Sequence, residues 1–328
     1  MGNVFSIKIG YDDAWNAWIR FRRAKRPSRE ICEFESRLLV NVFELADDLA
    51  TGAYTHGAYR MMQISDKKRR DISIASVRDR IVHRLLYDYL VEQFDRGFIF
   101  DAWSCRVGKG LHACLLRTKN LLAHYHRSHV WRFDITKFFD HVRHDVLLEL
   151  LRRRITDDRA LRLLEIVIAS WPVDKKVERE RERVHRCVGI PIGNVTSQIF
   201  ANIYFNEFDR FVMHELRPQG YVRYGDDGII IAKDRHALEV MRMRARQFLN
   251  DRLGLVVSVR HDIIVPVRRG IYFLGMELWP QRAQPRGIAI KLMRQRLSLR
   301  NASSYYGLSR QYGAEWSREF AWRIAELL

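Results

Sequence analysis

The stretch "VRYGDDGIII" (222–231) sets two adjacent carboxylates, Asp226 and Asp227, between runs of β-branched and aromatic residues. That pattern predicts two short strands over 221–232 around a tight turn. Like charges side by side at a hairpin tip repel one another. Either water solvates them in an ordinary turn before Gly228, or they share a counter-ion, and a divalent metal is the sharper reading.

The flanking segments alternate between helix and strand. Residues 12–50 read as mainly helical up to Gly52, and "HVWRFDITKFF" (129–139) as a buried strand running into a turn. Helical periodicity covers 144–155, 197–216 and 236–254, the last closed by Gly254. "GIYFLGMELW" (270–279) reads as a strand, and beyond Pro280 the chain is basic and helical to Leu328. "DKKVERERERVHR" (174–186) reads as an exposed charged loop or hairpin. Strand, helix, helix, hairpin, helix, strand is the order of a split βαβ-type antiparallel sheet in an α+β fold.

Charge narrows the partners. The 328 residues carry a net charge of +18 with 47% hydrophobic residues, so the chain is globular and built to track a polyanion. Nucleic acid comes first and an anionic membrane second. No apolar run approaches the ~20 residues that span a bilayer, and the charged start "MGNVFSIKIGYDDAWNAW" lacks a secretory block. Met1-Gly2 with Ser6 matches only a short myristoylation pattern. Cys32, Cys105, Cys114 and Cys187 form no C-x-x-C pair, which fits a reducing cytoplasm.

Asp134 ends a predicted strand, and a sheet of this type would bring it beside Asp226 and Asp227. Three gathered carboxylates need compensation, which two divalent cations would supply while stabilising both oxygens of an in-line phosphoryl displacement. Hard oxygen donors favour Mg²⁺ over Zn²⁺. Asp140 reads equally as a helix N-cap or a ligand.

"RFDITKFFDHV", "GIPIGNVTSQIFANIYFNEFD", "VRYGDDGII" and "GIYFLG", with "KKRRDISIASVRDRIVHRLL" and "FIFDAWSCRVGKGLHAC" upstream, occur in an order and spacing that resemble reverse transcriptases. The resemblance covers roughly residues 60 to 280. It implies a right-hand polymerase fold: N-terminal helices and fingers over 1–125, palm over 126–275 with a charged insertion near 156–188, and a basic helical thumb over 276–328. It further implies that Asp134, Asp226, Asp227 and the carbonyl of Ile135 bind two Mg²⁺ ions. Lys68 and Arg70 would grip the dNTP triphosphate, Phe139 would exclude a ribose 2′-hydroxyl, and Ile192, Gly193 and Gln198 would border the nucleotide. Phe273, Leu274 and Gly275 would hold the primer end. In the thumb, arginines would track phosphates, whereas Tyr305, Tyr306 and Tyr312 would serve either there or in packing.

Two departures stand out. Ile192 replaces the usual Gln, and the I-G-x-x-x-S-Q form, with the ending "SSYYG", resembles the enzymes of diversity-generating retroelements. That group copies a template RNA with errors opposite adenine and works with a small basic accessory protein. His261, or Arg260 beside it, stands where the family often has a lysine proposed as general acid toward pyrophosphate. The resemblance therefore implies an error-prone RNA-directed DNA polymerase acting on template RNA, cDNA/RNA duplex and dNTPs, with no membrane partner. Alternatives are a defence-associated or group II intron-like enzyme and, from another class, a non-catalytic RNA-binding scaffold.

Overall fold

The computed structural model describes residues 6–23, 25–65, 69–171, 187–285, 287–303, 305–306 and 314–327. Lys68, Tyr312, Met1-Gly2 and the whole charged stretch 174–186 lie outside the described residues. The chain divides into two compact units: Met1–Ile99, Lys137–Arg210 and Phe248–Leu255 form the first, and Phe100–Thr136, Phe211–Gln247 and Val256–Leu328 the second.

The first unit is mainly helical. Its N-terminal part folds as helices Tyr11–Arg22, Arg29–Glu35 and Leu38–Thr51, the last ending at a left-handed Gly52 as the sequence predicts. Ser28 and Ser76 accept backbone N–H groups at the starts of Arg29–Glu35 and Val77–Phe94. Strands β1 (Arg60–Ser65) and β2 (Arg69–Ile74) pair antiparallel. Helices His144–Arg152, Asp158–Ala169 and Val195–Phe211 complete the described framework. Tyr204 anchors the last of these by donating to the Leu253 carbonyl at 2.6 Å.

The second unit is built on a four-stranded antiparallel sheet of β3 (His129–Phe133), β4 (Gly220–Tyr224), β5 (Asp227–Ala232) and β6 (Ile263–Pro266), ordered β4-β5-β3-β6. Side chains alternate along each strand, so Val130 and Arg132 share one face while Trp131 and Phe133 take the other. Val130, Val222, Ile229 and Ile231 join a buried cluster with Val267, Ile271, Phe273, Met276 and Leu278. On the opposite face the Phe133 ring lies against Gly228, its cross-strand partner.

Two local expectations change. The stretch 270–279 is a hairpin, with β7 (Ile271–Phe273) and β8 (Met276–Leu278) joined at Leu274 (φ 49°) and Gly275 (φ 87°). Two successive positive φ angles give the turn whose twist matches its strands, which hydrophobicity alone does not reveal. After Pro280 the chain first adds β9 (Ala283–Pro285) to β8, because the Trp279 N–H bonds the Arg282 carbonyl and closes a second turn. The helices Gly287–Arg296 and Ala314–Ala325 follow, linked by an ion pair between Arg294 and Glu319. No helix among the described residues is long and apolar enough to cross a membrane.

Candidate active site

Register assembles the carboxylates. β3 pairs Phe133 with Gly228 of β5, and Arg132 with Ile263 of β6. Continuing both ladders brings Asp134 opposite Asp227 on one side and His261 on the other. The side chains follow that layout: His261 Nδ1 lies 2.7 Å from Asp134 Oδ2, and Arg132 Nη2 donates to Asp227 Oδ1 at 3.2 Å. Asp226 sits in the turn itself, between the last β4–β5 pair, Tyr224 and Asp227, and Gly225 at φ 65°. Among the described residues, no three His, Cys, Asp or Glu side chains form a preassembled metal-ligand group.

Burial raises the Asp227 carboxyl above its ordinary range; Arg132 opposes the rise, the Asp134 charge adds to it, and His261 opposes it. The Asp134 backbone is held as firmly as its side chain. Its carbonyl accepts from Ser258 N–H at 2.8 Å, while Ile135, buried, bridges to Val257. His261 belongs to a one-turn helix, Val259–His261, pinned by the next residue. Asp262 accepts from Trp131 Nε1 at 2.8 Å, Arg242 at 2.7 Å and Arg246 at 3.2 Å. Arg260, beside His261, is exposed.

Phe273 is fully buried in the second unit, so it holds the β7–β8 hairpin, while Leu274 and Gly275 form the tip.

The nucleotide-site candidates belong to the first unit. Arg70 lies on β2, and the same strand receives the Ile192–Gly193 segment: Ser73 N–H donates to the Ile192 carbonyl at 2.9 Å. A Cβ on Gly193, at φ +118°, would come 2.7 Å from Ile72 Cγ2, so only glycine allows this approach. Phe139 is half-buried in the short helix Phe138–His141, and its carbonyl accepts from Ile190 N–H at 2.8 Å. Phe139, Ile192 and β2 are thus stitched together through backbone bonds. Gln198 is exposed on the helix that follows. Asp140 is not an N-cap: Lys137, at φ 46°, takes that position because the Asp140 N–H already bonds the Lys137 carbonyl.

Several site residues lay outside the sequence reading. Arg132 is a charged residue in a strand whose other buried residues, Val130, Trp131 and Phe133, are apolar; it lies two positions before Asp134 and on the same face, and that pattern was a readable signal. Asp262 had none, because its partners come from distant segments. In the first unit the buried His83 bonds Thr196 Oγ1 at 2.6 Å, at the start of the helix that carries Gln198, and meets His56 Nε2 at 3.0 Å. Burial, then His56, push His83 down from 6.5 to about 3, against the pull of Asp79.

A histidine held neutral in the fold but protonated once unfolded costs stability as pH falls from 6.5 towards about 3. Its share reaches about 1.4 kcal/mol per pH unit inside that window. Thermal midpoints between pH 7 and 4 are therefore expected to fall less steeply in His83→Gln than in the parent, whatever the variant's absolute stability. Parallel slopes would remove His83 from the acid response.

The sequence and the fold have relatives among known proteins. The family model for "Reverse transcriptase (RNA-dependent DNA polymerase)" matches residues 62–278. The chain is 27% identical to Protein YkfC of Escherichia coli K12 over 288 residues, 76% of this chain and 74% of that protein. It is 26% identical to an uncharacterized 91 kDa protein in the cob intron of Schizosaccharomyces pombe, over 48% of this chain but only 19% of that one. The structure resembles telomerase from Candida albicans at a TM-score of 0.51 and 11% identity, covering 97% of this chain and 58% of that chain. That likeness bears on the fold alone, the α+β right-hand polymerase fold. With the family model spanning most of the chain, the protein belongs to the reverse transcriptase (RNA-dependent DNA polymerase) family.

Proposed function

We propose that this chain synthesises DNA on an RNA template by two-metal phosphoryl transfer. The observation that supports it most is the sheet register, whose last β3–β5 pair, Phe133 and Gly228, leads directly into Asp134 and Asp227. The donor set fits a hard cation: both groups are carboxylates, and Asp134 Oδ1 and Asp227 Oδ2 accept no hydrogen bond among the described residues. Asp134, Asp226, Asp227 and the Ile135 carbonyl would hold two Mg²⁺ ions, which when bound stabilise the attacking and leaving oxygens of the transfer. His261 orients Asp134 and is the proposed proton donor to departing pyrophosphate, with Arg260 as the alternative.

In this reading Lys68 and Arg70 grip the triphosphate, Phe139 selects deoxynucleotides, and Ile192, Gly193 and Gln198 border the base pair. The β7–β8 tip at Leu274–Gly275 supports the primer end. Fingers, palm and thumb would follow the boundaries expected from the sequence. A net charge of +18 suits template RNA and a cDNA/RNA duplex in the cytoplasm, with affinity falling steeply as salt rises.

Ile192 carries the proposal that synthesis is error-prone at template adenine, as in diversity-generating retroelements, where a small basic accessory protein would join the complex. A side chain that offers only shape near the nucleotide forgoes a polar contact worth about 1–3 kcal/mol of discrimination. Ile192→Gln is therefore expected to lower misincorporation opposite adenine by roughly ten-fold, read by sequencing cDNA from a template of mixed composition. Equal error spectra would contradict the diversifying reading. An accurate parent would favour the second reading, an intron-type enzyme, which the similarity to a protein in the cob intron supports.

A further inference from the structure

Arg132 is a full positive charge placed where strands normally carry apolar side chains. Its neighbours across the sheet are Ile229 and Ile263, it shares a face with the core residue Val130, and it is only 8% exposed. Its guanidinium reaches diagonally to Asp227 Oδ1 and lies 5.1 Å from the centre of the Tyr272 ring. Its Nε is buried without a hydrogen-bond partner among the described residues. A guanidinium so placed is costly unless it answers an opposite charge. The charge that needs answering is Asp227, half-buried and facing Asp134 across the sheet.

We infer that Arg132 is the resident counter-cation of Asp227, a positioning residue that holds this carboxylate fixed through Oδ1 before metal arrives. Tyr272 steadies the guanidinium at the base of the β7–β8 hairpin, so the same side chain joins the carboxylate strands to the expected primer grip. Arg132 spares the metal-free sheet an unanswered carboxylate at Asp227. Because it is itself positive, it also opposes the divalent ion it prepares for. Removing its charge should therefore destabilise the metal-free protein and tighten metal binding together. The inference rests on the metal-site reading above.

The test is a thermal-shift titration with Mg²⁺ on the parent, Arg132→Gln and Arg132→Lys. Glutamine keeps an N–H for Asp227 Oδ1 and removes the charge; lysine keeps the charge. Arg132→Gln is expected to melt lower without metal, to gain more from Mg²⁺, and to reach half-effect at a concentration about ten-fold lower, the order of one unit charge acting on a divalent ion in a partly solvated site. Arg132→Lys should keep the parent's midpoint. A lower melting point with an unchanged Mg²⁺ midpoint would make Arg132 merely structural and overturn the inference alone. A parent that does not respond to Mg²⁺ would overturn the metal-site reading as well. Should Arg132→Gln fail to fold, the Arg132 Nε–H resonance of the ¹⁵N-labelled parent decides: it shifts on Mg²⁺ addition if the inference holds, and stays fixed if it does not.

Discussion

Asp227→Asn and Asp134→Asn are each expected to lower primer extension by on the order of 10³-fold or more, because a direct ligand, as both are proposed to be, should outweigh the 10–100-fold typical of an outer-shell partner. Asparagine is the informative choice. It keeps an oxygen to accept from Arg132 or His261, so the sheet end holds its hydrogen bonds while losing the charge. Alanine would strand the buried Arg132 beside an empty position and confuse a folding defect with a chemical one. Single-turnover extension at saturating dNTP measures the effect, with circular dichroism confirming the fold. A rate within ten-fold of the parent for either variant would place the chemistry elsewhere.

Gly228→Ala should be the most damaging small substitution in the second unit. A Cβ there would fall 2.3 Å from Phe133 Cζ and within 3 Å of two more ring atoms. The ring cannot swing aside, because Phe133 is fully buried on the central strand β3. Overpacking of this kind costs about 2–3 kcal/mol, or a melting point lower by roughly 4–12 °C. Shrinking the ring should restore part of the loss, so Gly228→Ala with Phe133→Leu is expected to be less destabilised than the two single effects summed. Additive effects would show that the contact does not govern this site. The glycine after the paired aspartates is thus a packing requirement as well as a turn signal: the Phe133–Gly228 pair is the last before Asp134 and Asp227 face each other.

Much of the layout was legible because its determinants are local. The strands around Asp226–Asp227, the strand ending at Phe133, and the helices Val195–Phe211 and Arg235–Leu253 all carry apolar periodicity or terminal glycines within a short window. The β7–β8 hairpin was not legible, because Leu274 adopts a left-handed conformation that its side chain does not advertise. β9 was hidden for a related reason: three residues ending in Pro285 become a strand only because a turn returns them to β8.

The same division holds at the site. Asp134 and Asp227 could be nominated by sequence, since carboxylates at strand ends are conspicuous. Their companions are set by register and by long-range contacts. His261 was nominated through the family resemblance, but its contact with Asp134 spans 127 positions, and Asp262 joins Trp131 to two arginines of the helix Arg235–Leu253. The nucleotide-site candidates show the converse. The glycine at 193 reads as loop chemistry, yet its necessity comes from the close approach of β2, more than a hundred residues earlier.

The measurement that bears most directly on the central proposal is primer extension on an RNA template with dNTPs and Mg²⁺, comparing the parent with Asp134→Asn and Asp227→Asn. Template-length cDNA dependent on Mg²⁺ is expected from the parent, and none above background from either variant. Extension that persists in both variants, or a folded parent that binds RNA but makes no cDNA at any Mg²⁺ concentration, would contradict it.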